Sequence, residues 1–358
     1  MLNYLLEKKL ANALFKSDIY LYTMKKVFCF GELLLRFSPN LQKQWIQEHS
    51  MPVFVGGAEL NVAKALAAWQ TPVKYVSVLP DNYISKEIID SLQDTGIDSS
   101  AILLNGDRIG TYTLPMGADL KNAGVIYDRA YSSFSFLKRG MIDWEQVLDG
   151  YDWFHFTAIN PSLNTNVADV CEEALEFATK KGMTISVDLN YRAKLWQYGK
   201  KPVEVMPTLV KYCHVIMGNV WSAHQLLGTQ LNPLLNSECE KSFYIAQAEI
   251  VSNEIMTTYP NCNLVANTYR FSEGDAVRYY ATLTNPEKHV VCKEHFCENV
   301  IDKVGSGDCF MAGLIYGSLQ ANFTLEEVIN FAASAAFGKL QEVGDYTKQS
   351  IQIIQSRY

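Results

Sequence analysis

The chain has 358 residues, 48% hydrophobic and 19% charged, which suits a folded globular body and excludes a disordered one. Its formal net charge of −7 supplies no global basic field for nucleic acid or an anionic membrane, so a phosphate-bearing ligand must be held by local donors. Cys29, Cys171, Cys213, Cys239, Cys262, Cys292, Cys297 and Cys309 form no CxxC pair and no zinc spacing, which predicts free thiols in a reducing cytoplasm.

Residues 1–23 place Leu5, Leu6, Leu10, Leu14 and Phe15 among Glu7, Lys8, Lys9, Lys16 and Asp18. The segment is too short and too charged to span a bilayer, and it lacks a secretory pattern. Met24 directly precedes the first apolar run, so residues 1–23 read as an upstream extension with Met24 as the natural start. An amphipathic helix docked on the body is the competing reading.

From there the order is α/β. Residues 27–30 form a short apolar run ending at Gly31, as a buried strand does. Val62, Ala65, Leu66 and Trp69 recur at helical spacing. Strands are predicted at 73–79, 152–157, 184–187, 215–217 and 264–266, and helices at 84–95, 167–181, 310–319 and 325–337. Alternating strands and helices imply a mostly parallel sheet covered on both faces, with ligands beyond the carboxyl ends of the strands. Residues 32–55 and 108–130 instead alternate apolar positions, at Leu33, Leu35 and Phe37 and at Tyr112, Leu114, Val125 and Tyr127. They predict a small β layer standing off the main sheet.

Three motifs carry chemistry. Asp302-Lys303-Val304-Gly305-Ser306-Gly307-Asp308 runs into an apolar helix. Glycines before a helix let backbone N–H groups converge, and the helix start is partly positive, so Gly305, Ser306 and Gly307 suit a phosphoryl group in transit. A carboxylate beside such a site is repulsive unless it has a proton to collect, which makes Asp308 a candidate general base; as a lone motif it would simply cap the helix. No Gly-Lys-Ser/Thr follows, so this is not a Walker A loop. Gly56-Gly57-Ala58-Glu59-Leu60-Asn61 opens another helix, where Asn61 can donate to and accept from a ligand hydroxyl; alone, a tight turn is the simpler reading. Asp188-Leu189-Asn190-Tyr191-Arg192 ends a strand, where polar residues face the cleft, and Arg192 offers a planar fork for phosphate or carboxylate.

In this order the three motifs resemble the ribokinase-like (PfkB) carbohydrate kinase family. Gly31-Glu32-Leu33-Leu34-Leu35-Arg36, Tyr127-Asp128-Arg129-Ala130 and residues 188–196 are similar to its 2-dehydro-3-deoxygluconate kinase branch. The resemblance runs from about Met24 to about Tyr346, leaving 347–358 as a C-terminal tail. It implies a Rossmann-like ribokinase fold with a β-sheet lid (segments 32–55 and 108–130) through which subunits associate. It implies ATP, Mg2+ and phosphorylation of the terminal hydroxyl of a small sugar acid in the cytoplasm, with no nucleic-acid or membrane partner. Carried over, Gly56, Gly57, Ala58 and Asn61 would line the sugar pocket, joined by Tyr112, Tyr127 and Arg129 from the lid. Arg129 would clamp the carboxylate, and Arg192 and Asp345 would also meet substrate. Asn190, Arg192, Asn219, Thr268 and Arg270 would meet the nucleotide, Gly305, Ser306 and Gly307 would form the anion hole, and Asp308 would be the base. No residue is assigned as a direct metal ligand.

Departures qualify this. Ser222 stands where many relatives carry an acid three positions after the residue matching Asn219, so metal handling differs. Asn267-Thr268-Tyr269-Arg270 replaces a Gly-x-Lys-Gly element, which is why Thr268 and Arg270 are assigned nucleotide contacts. A kinase for fructose or another neutral sugar is the runner-up, and a non-catalytic sugar- or nucleotide-binding homologue is the alternative of another class.

Overall fold

The run Val27–Phe30 is buried on both faces and lies inside a ten-stranded sheet. The structure, a computed structural model, describes residues 24–40, 42–115, 124–236, 239–274 and 276–358. The sheet order is His289–Val291, Ala276–Thr284, Leu264–Glu273, Val215–Gly218, Thr184–Asp188, Trp153–Thr157, Val27–Phe30, Val73–Val76 and Ile97–Asp98, with His295–Cys297 as a tenth strand that also pairs with Ala276–Thr284. Every pairing from Leu264–Glu273 to Ile97–Asp98 is parallel. Strands covered on both faces need near-continuous apolar residues, and Val27–Phe30 and Trp153–Thr157 are buried throughout.

The helices Ser306–Leu319 and Leu325–Lys339 pack against each other through bare backbone. A Cβ on Gly313 would stand 2.7 Å from the Ala332 Cα, and one on Gly317 would stand 3.2 Å from the Val328 Cα. Thr324 and Glu327 close the second helix start by a reciprocal capping box.

The β layer expected from 32–55 and 108–130 is a four-stranded sheet in the order Val53–Gly56, Leu34–Phe37, Gly110–Thr113, Ile126–Asp128. Register puts Leu34, Arg36, Tyr112 and Tyr127 on one face and Leu35, Phe37, Val53, Val55 and Ile126 on the other. The first face packs on Val304. Those parts of the lid expectation that fall on residues 41 and 116–123, and the expectation for 1–23, lie outside the described residues.

Three expectations are corrected. The strand at 73–79 is split: Val73–Val76 stays in the main sheet, while Val78–Leu79 pairs with Leu103–Leu104 in a separate ribbon. The strand at 264–266 is the start of ten-residue Leu264–Glu273, whose antiparallel partner Ala276–Thr284 extends the sheet beyond its parallel part. Helices Pro202–Val210, Val220–Leu227 and Lys241–Thr258 were also not anticipated. Residues 347–358 are no loose tail, because Ile354 is buried, Trp69 Nε1 donates to the Gln349 carbonyl at 3.0 Å, and Arg357 Nη1 donates to the Ser334 carbonyl at 3.2 Å. All eight cysteines are unpaired thiols. No described helix is long and apolar enough to cross a membrane.

The Gly313 contact yields a test. Gly313→Ala gains about 1 kcal/mol of helix propensity. Overpacking against backbone that cannot swing aside costs up to about 3 kcal/mol. The variant should therefore lower the urea midpoint, and a raised midpoint would show that the helices can move apart freely.

Candidate active site

The Ser306–Leu319 helix begins at Gly305, whose φ of 78° and packing admit only glycine: a Cβ would lie 1.8 Å from the Asp345 carbonyl oxygen. The first backbone bond of the helix runs from Cys309 N–H to Gly305 O at 2.8 Å. The N–H groups of Ser306, Gly307 and Asp308 thus stand at the positive helix end without intrahelical acceptors. Nothing occupies the space a Cβ on Gly307 would fill. These are the elements of an anion site, as the motif suggested.

Asp308 is buried one position further on, and its Oδ2 accepts from Asn61 Nδ2 at 2.7 Å. Burial pushes its carboxyl up to about 7, with the charge of Asp345 adding to the rise. The Asn61 hydrogen bond and the charges of Arg192 and Lys339 act the other way. Asn61 is placed by the Ala58–Ala68 helix, which starts from Gly57 at φ 137°. A Cβ on Gly57 would lie 2.4 Å from the Glu32 carbonyl oxygen. Asn61 Oδ1 is buried with no partner among the described residues.

Asp188 ends its strand 6% exposed, and burial first, then the charge of Asp308, raises its carboxyl well above the ordinary range. Beyond it Arg192 Nη1 donates to its neighbour's carbonyl, Tyr191 O, at 3.1 Å, and Lys194 Nζ donates to Val125 O at 3.0 Å, tying this loop to the lid. On the other side Arg270 Nη1 reaches Ser306 Oγ at 3.2 Å and Lys303 O at 3.4 Å, and Thr268 Oγ1 donates to Gly218 O at 3.3 Å. Asn219 and Ser222 close a reciprocal capping box: Ser222 Oγ accepts from Asn219 N–H, and Asn219 Oδ1 accepts from Ser222 N–H, each at 2.9 Å. The serine keeps the capping role without a charge.

Most of these groups line one cavity of about 880 Å³. It brings together Gly57, Ala58, Asn61, Tyr112, Tyr127, Arg129, Asn190, Arg192, Asn219, Thr268, Arg270, Gly305, Ser306, Gly307 and Asp308. Gly56 and Asp345 are not part of its lining. Asp345 turns away, its Oδ1 2.7 Å from Arg36 Nη2 and its Oδ2 accepting from the Tyr112 hydroxyl at 3.1 Å. A Cβ on Gly56 would lie 2.4 Å from that same Oδ2. Both residues stand behind the cavity wall. Arg129 differs from the free clamp expected of it: its Nε donates to Glu32 Oε2 at 2.6 Å, and the pair is almost fully buried. Asp128 pairs with Arg108 instead.

Sequence reasoning did not assign Asp188 or Lys194 to the site, although both stand in a quoted motif and an acid ending a buried strand was a usable signal. Arg36 carried no signal, because its partners Asp302 and Asp345 are remote in the chain.

The pattern of the pfkB family carbohydrate kinases matches residues 24–352. The crystal structure of 2-dehydro-3-deoxygluconokinase from Thermotoga maritima is 34% identical, with a TM-score of 0.83 over 93% of this chain and 99% of that one. The 2-dehydro-3-deoxygalactonokinase of Haloferax volcanii is 30% identical over 47% of this chain, which spans about half (52%) of that relative. Fructokinase-1 of Oryza sativa subsp. japonica is 25% identical over 86% of this chain and 88% of its own length. The family match extends across the lid, the Asn61 helix, the Asp188 strand and the Asp308 helix that together enclose the cavity, and this chain belongs to the pfkB family of carbohydrate kinases.

Proposed function

We propose that this kinase transfers the γ-phosphoryl group of ATP to the terminal hydroxyl of 2-dehydro-3-deoxy-D-gluconate, giving the 6-phosphate, in a reducing cytoplasm. The observation that carries the reading is Asp308, held by Asn61 at a helix start inside a cavity with room for a nucleotide and a small sugar. Asp308 takes the proton of the attacking hydroxyl as the new O–P bond forms. The bond between the γ-phosphorus and the bridging oxygen breaks, and ADP leaves. The N–H groups at Gly305–Gly307 receive the charge on the phosphoryl oxygens. Asn61 orients the base, and its open Oδ1 is free to accept from a substrate hydroxyl.

Magnesium fits as an ion carried by the nucleotide. No group of three or more His, Cys, Asp or Glu among the described residues forms a protein cage, whereas Asp188 and Asp308 face the cavity, which suits a cation that keeps most of its waters. When bound it neutralises phosphate charge. Asp188 and Asn190, both in the lining, would hold its water shell.

The sugar-acid assignment is supported by the cations Arg192 and Lys194 in the lining and by the 34% identical relative. A neutral ketose is favoured by a different observation, the commitment of Arg129 to Glu32. Association of two copies through the lid is supported by its outer face, where Val53 is 49% and Ile126 65% exposed beside Leu35, Phe37 and Val55.

Two outcomes are expected at Asp308. Asp308→Asn should lower kcat by roughly 10²–10⁴-fold with little change in nucleotide affinity. In the native enzyme kcat/KM should rise with pH through a midpoint at about 7 and then level off, since only ionised Asp308 accepts a proton. An active Asp308→Asn enzyme, or one that retains this limb, removes Asp308 from the role.

Specificity is best read at Arg192, because Arg129→Ala would leave Glu32 as an unpaired buried charge. Arg192→Met should cost roughly 10–100-fold in kcat/KM for the sugar acid beyond any loss for fructose. A native enzyme that turns over fructose at least as well would overturn the sugar-acid assignment alone.

Val53→Glu with Ile126→Glu should shift sedimentation from dimer to monomer; a native protein that sediments as a monomer at micromolar concentration removes the lid interface.

A further inference from the structure

Lys339 is fully buried, and the chemistry set out above makes no use of it. It ends the Leu325–Lys339 helix, and its Nζ donates to the Glu342 carbonyl at 3.1 Å. The carbonyl of the next residue, Leu340, accepts from Ile301 N–H at 2.8 Å and Asp302 N–H at 3.3 Å, which places this helix end behind the phosphoryl-binding turn, outside the cavity lining. Burial pulls its ammonium below the ordinary lysine range, and the charges of Asp302 ahead of the turn, Cys309 on the adjoining helix, and Glu342 and Asp345 on the following loop hold it up, while Lys339 in turn opposes the rise at Asp308.

Asp302 shapes that turn. Its Oδ1 accepts from Val304 N–H at 3.0 Å, and its Oδ2 accepts from Gly344 N–H at 3.2 Å and from Arg36 Nη2 at 2.8 Å. Asp345 draws on the same Arg36 nitrogen at 2.7 Å. Two buried carboxylates therefore share one guanidinium directly behind the point that must receive phosphoryl charge. A sealed ammonium is costly unless it offsets buried charge. We propose that Lys339 is a positioning residue for phosphoryl transfer: its ammonium balances the excess carboxylate behind residues 302–305, so that the turn keeps its N–H groups aimed into the cavity and the field at Asp308 is kept from turning negative. This rests on Asp308 as the base. A lysine at a helix end can also satisfy carbonyl groups alone, and that role would leave the chemistry indifferent to its charge.

Lys339→Met conserves volume and removes the charge. Its kcat should fall about 10–100-fold, the cost of a small misplacement at the reacting centre. KM for ATP should be nearly unchanged, and the acid limb of kcat/KM should move to higher pH as Asp308 loses a neighbouring positive charge. Lys339→Ala, assayed with and without ammonium chloride against a sodium chloride control, covers a Met variant that fails to fold: ammonium in the vacated space should restore activity to the variant and leave the native enzyme unaffected. A Lys339→Met enzyme with native kcat and an unmoved acid limb, or a Lys339→Ala enzyme indifferent to ammonium, overturns the proposal. Asp308→Asn run in parallel separates the two readings. If it stays active the base assignment fails; if it is dead while Lys339→Met is normal, only the role of Lys339 fails.

Discussion

Arg36 is a fully buried arginine shared between two buried aspartates, and three parts of the molecule meet on it. It belongs to the lid strand Leu34–Phe37, Asp302 opens the phosphoryl-binding turn, and Asp345 lies on the loop after the last long helix. Its guanidinium also stacks 4.3 Å above the Phe54 ring of the neighbouring lid strand. Buried ion pairs add little net stability over apolar residues, but losing one partner costs about 3–5 kcal/mol, because the other is left charged and dry. The contact therefore serves register more than strength. It sets where the lid meets the turn at Gly305, and the Tyr112 hydroxyl on Asp345 carries that position into the cavity wall.

Behind this contact the charges form a graded set. Burial pulls Lys64 down to about 8, with Asp345 resisting, while its Nζ donates to Val55 O at 3.1 Å. Burial likewise raises Asp345, with Arg36 opposing. Asp308 sits forward of these groups, where the field meets the cavity. Its folded-state carboxyl lies near 7, above the ordinary unfolded value near 4, so the folded protein holds a proton there that the unfolded chain releases. The sign follows: Asp308 disfavours folding increasingly as pH rises through that window, so an ionised carboxylate there lowers stability at neutral pH.

The lid has two faces with different tasks. The inner one carries Leu34, Tyr112 and Tyr127, and Tyr112 and Tyr127 lie 6.3 Å apart between ring centroids. The outer one is apolar: Val53 and Ile126 are exposed on it, while Leu35 and Val55 pack against the main core. Lys194, bound to Val125 O, is the polar link by which the loop after Asp188 registers where the lid stands.

The sequence by itself determined the alternation of buried strands and amphipathic helices, the lid segments, and the glycine turns ahead of Asn61 and Asp308. These depend on local periodicity and on backbone conformations that only glycine adopts, and both are written in neighbouring residues. Only the tertiary structure decided which charges are free. Arg129 looked available beside Asp128, yet Glu32, 97 positions away, takes it. Asp345 looked like a ligand contact, yet Arg36 turns it inward. Ser222 looked like a missing acid, and it proved to be half of a capping box. A charge is assigned by the nearest partner once water is excluded, and in this fold the nearest partners of the critical charges are far apart along the chain.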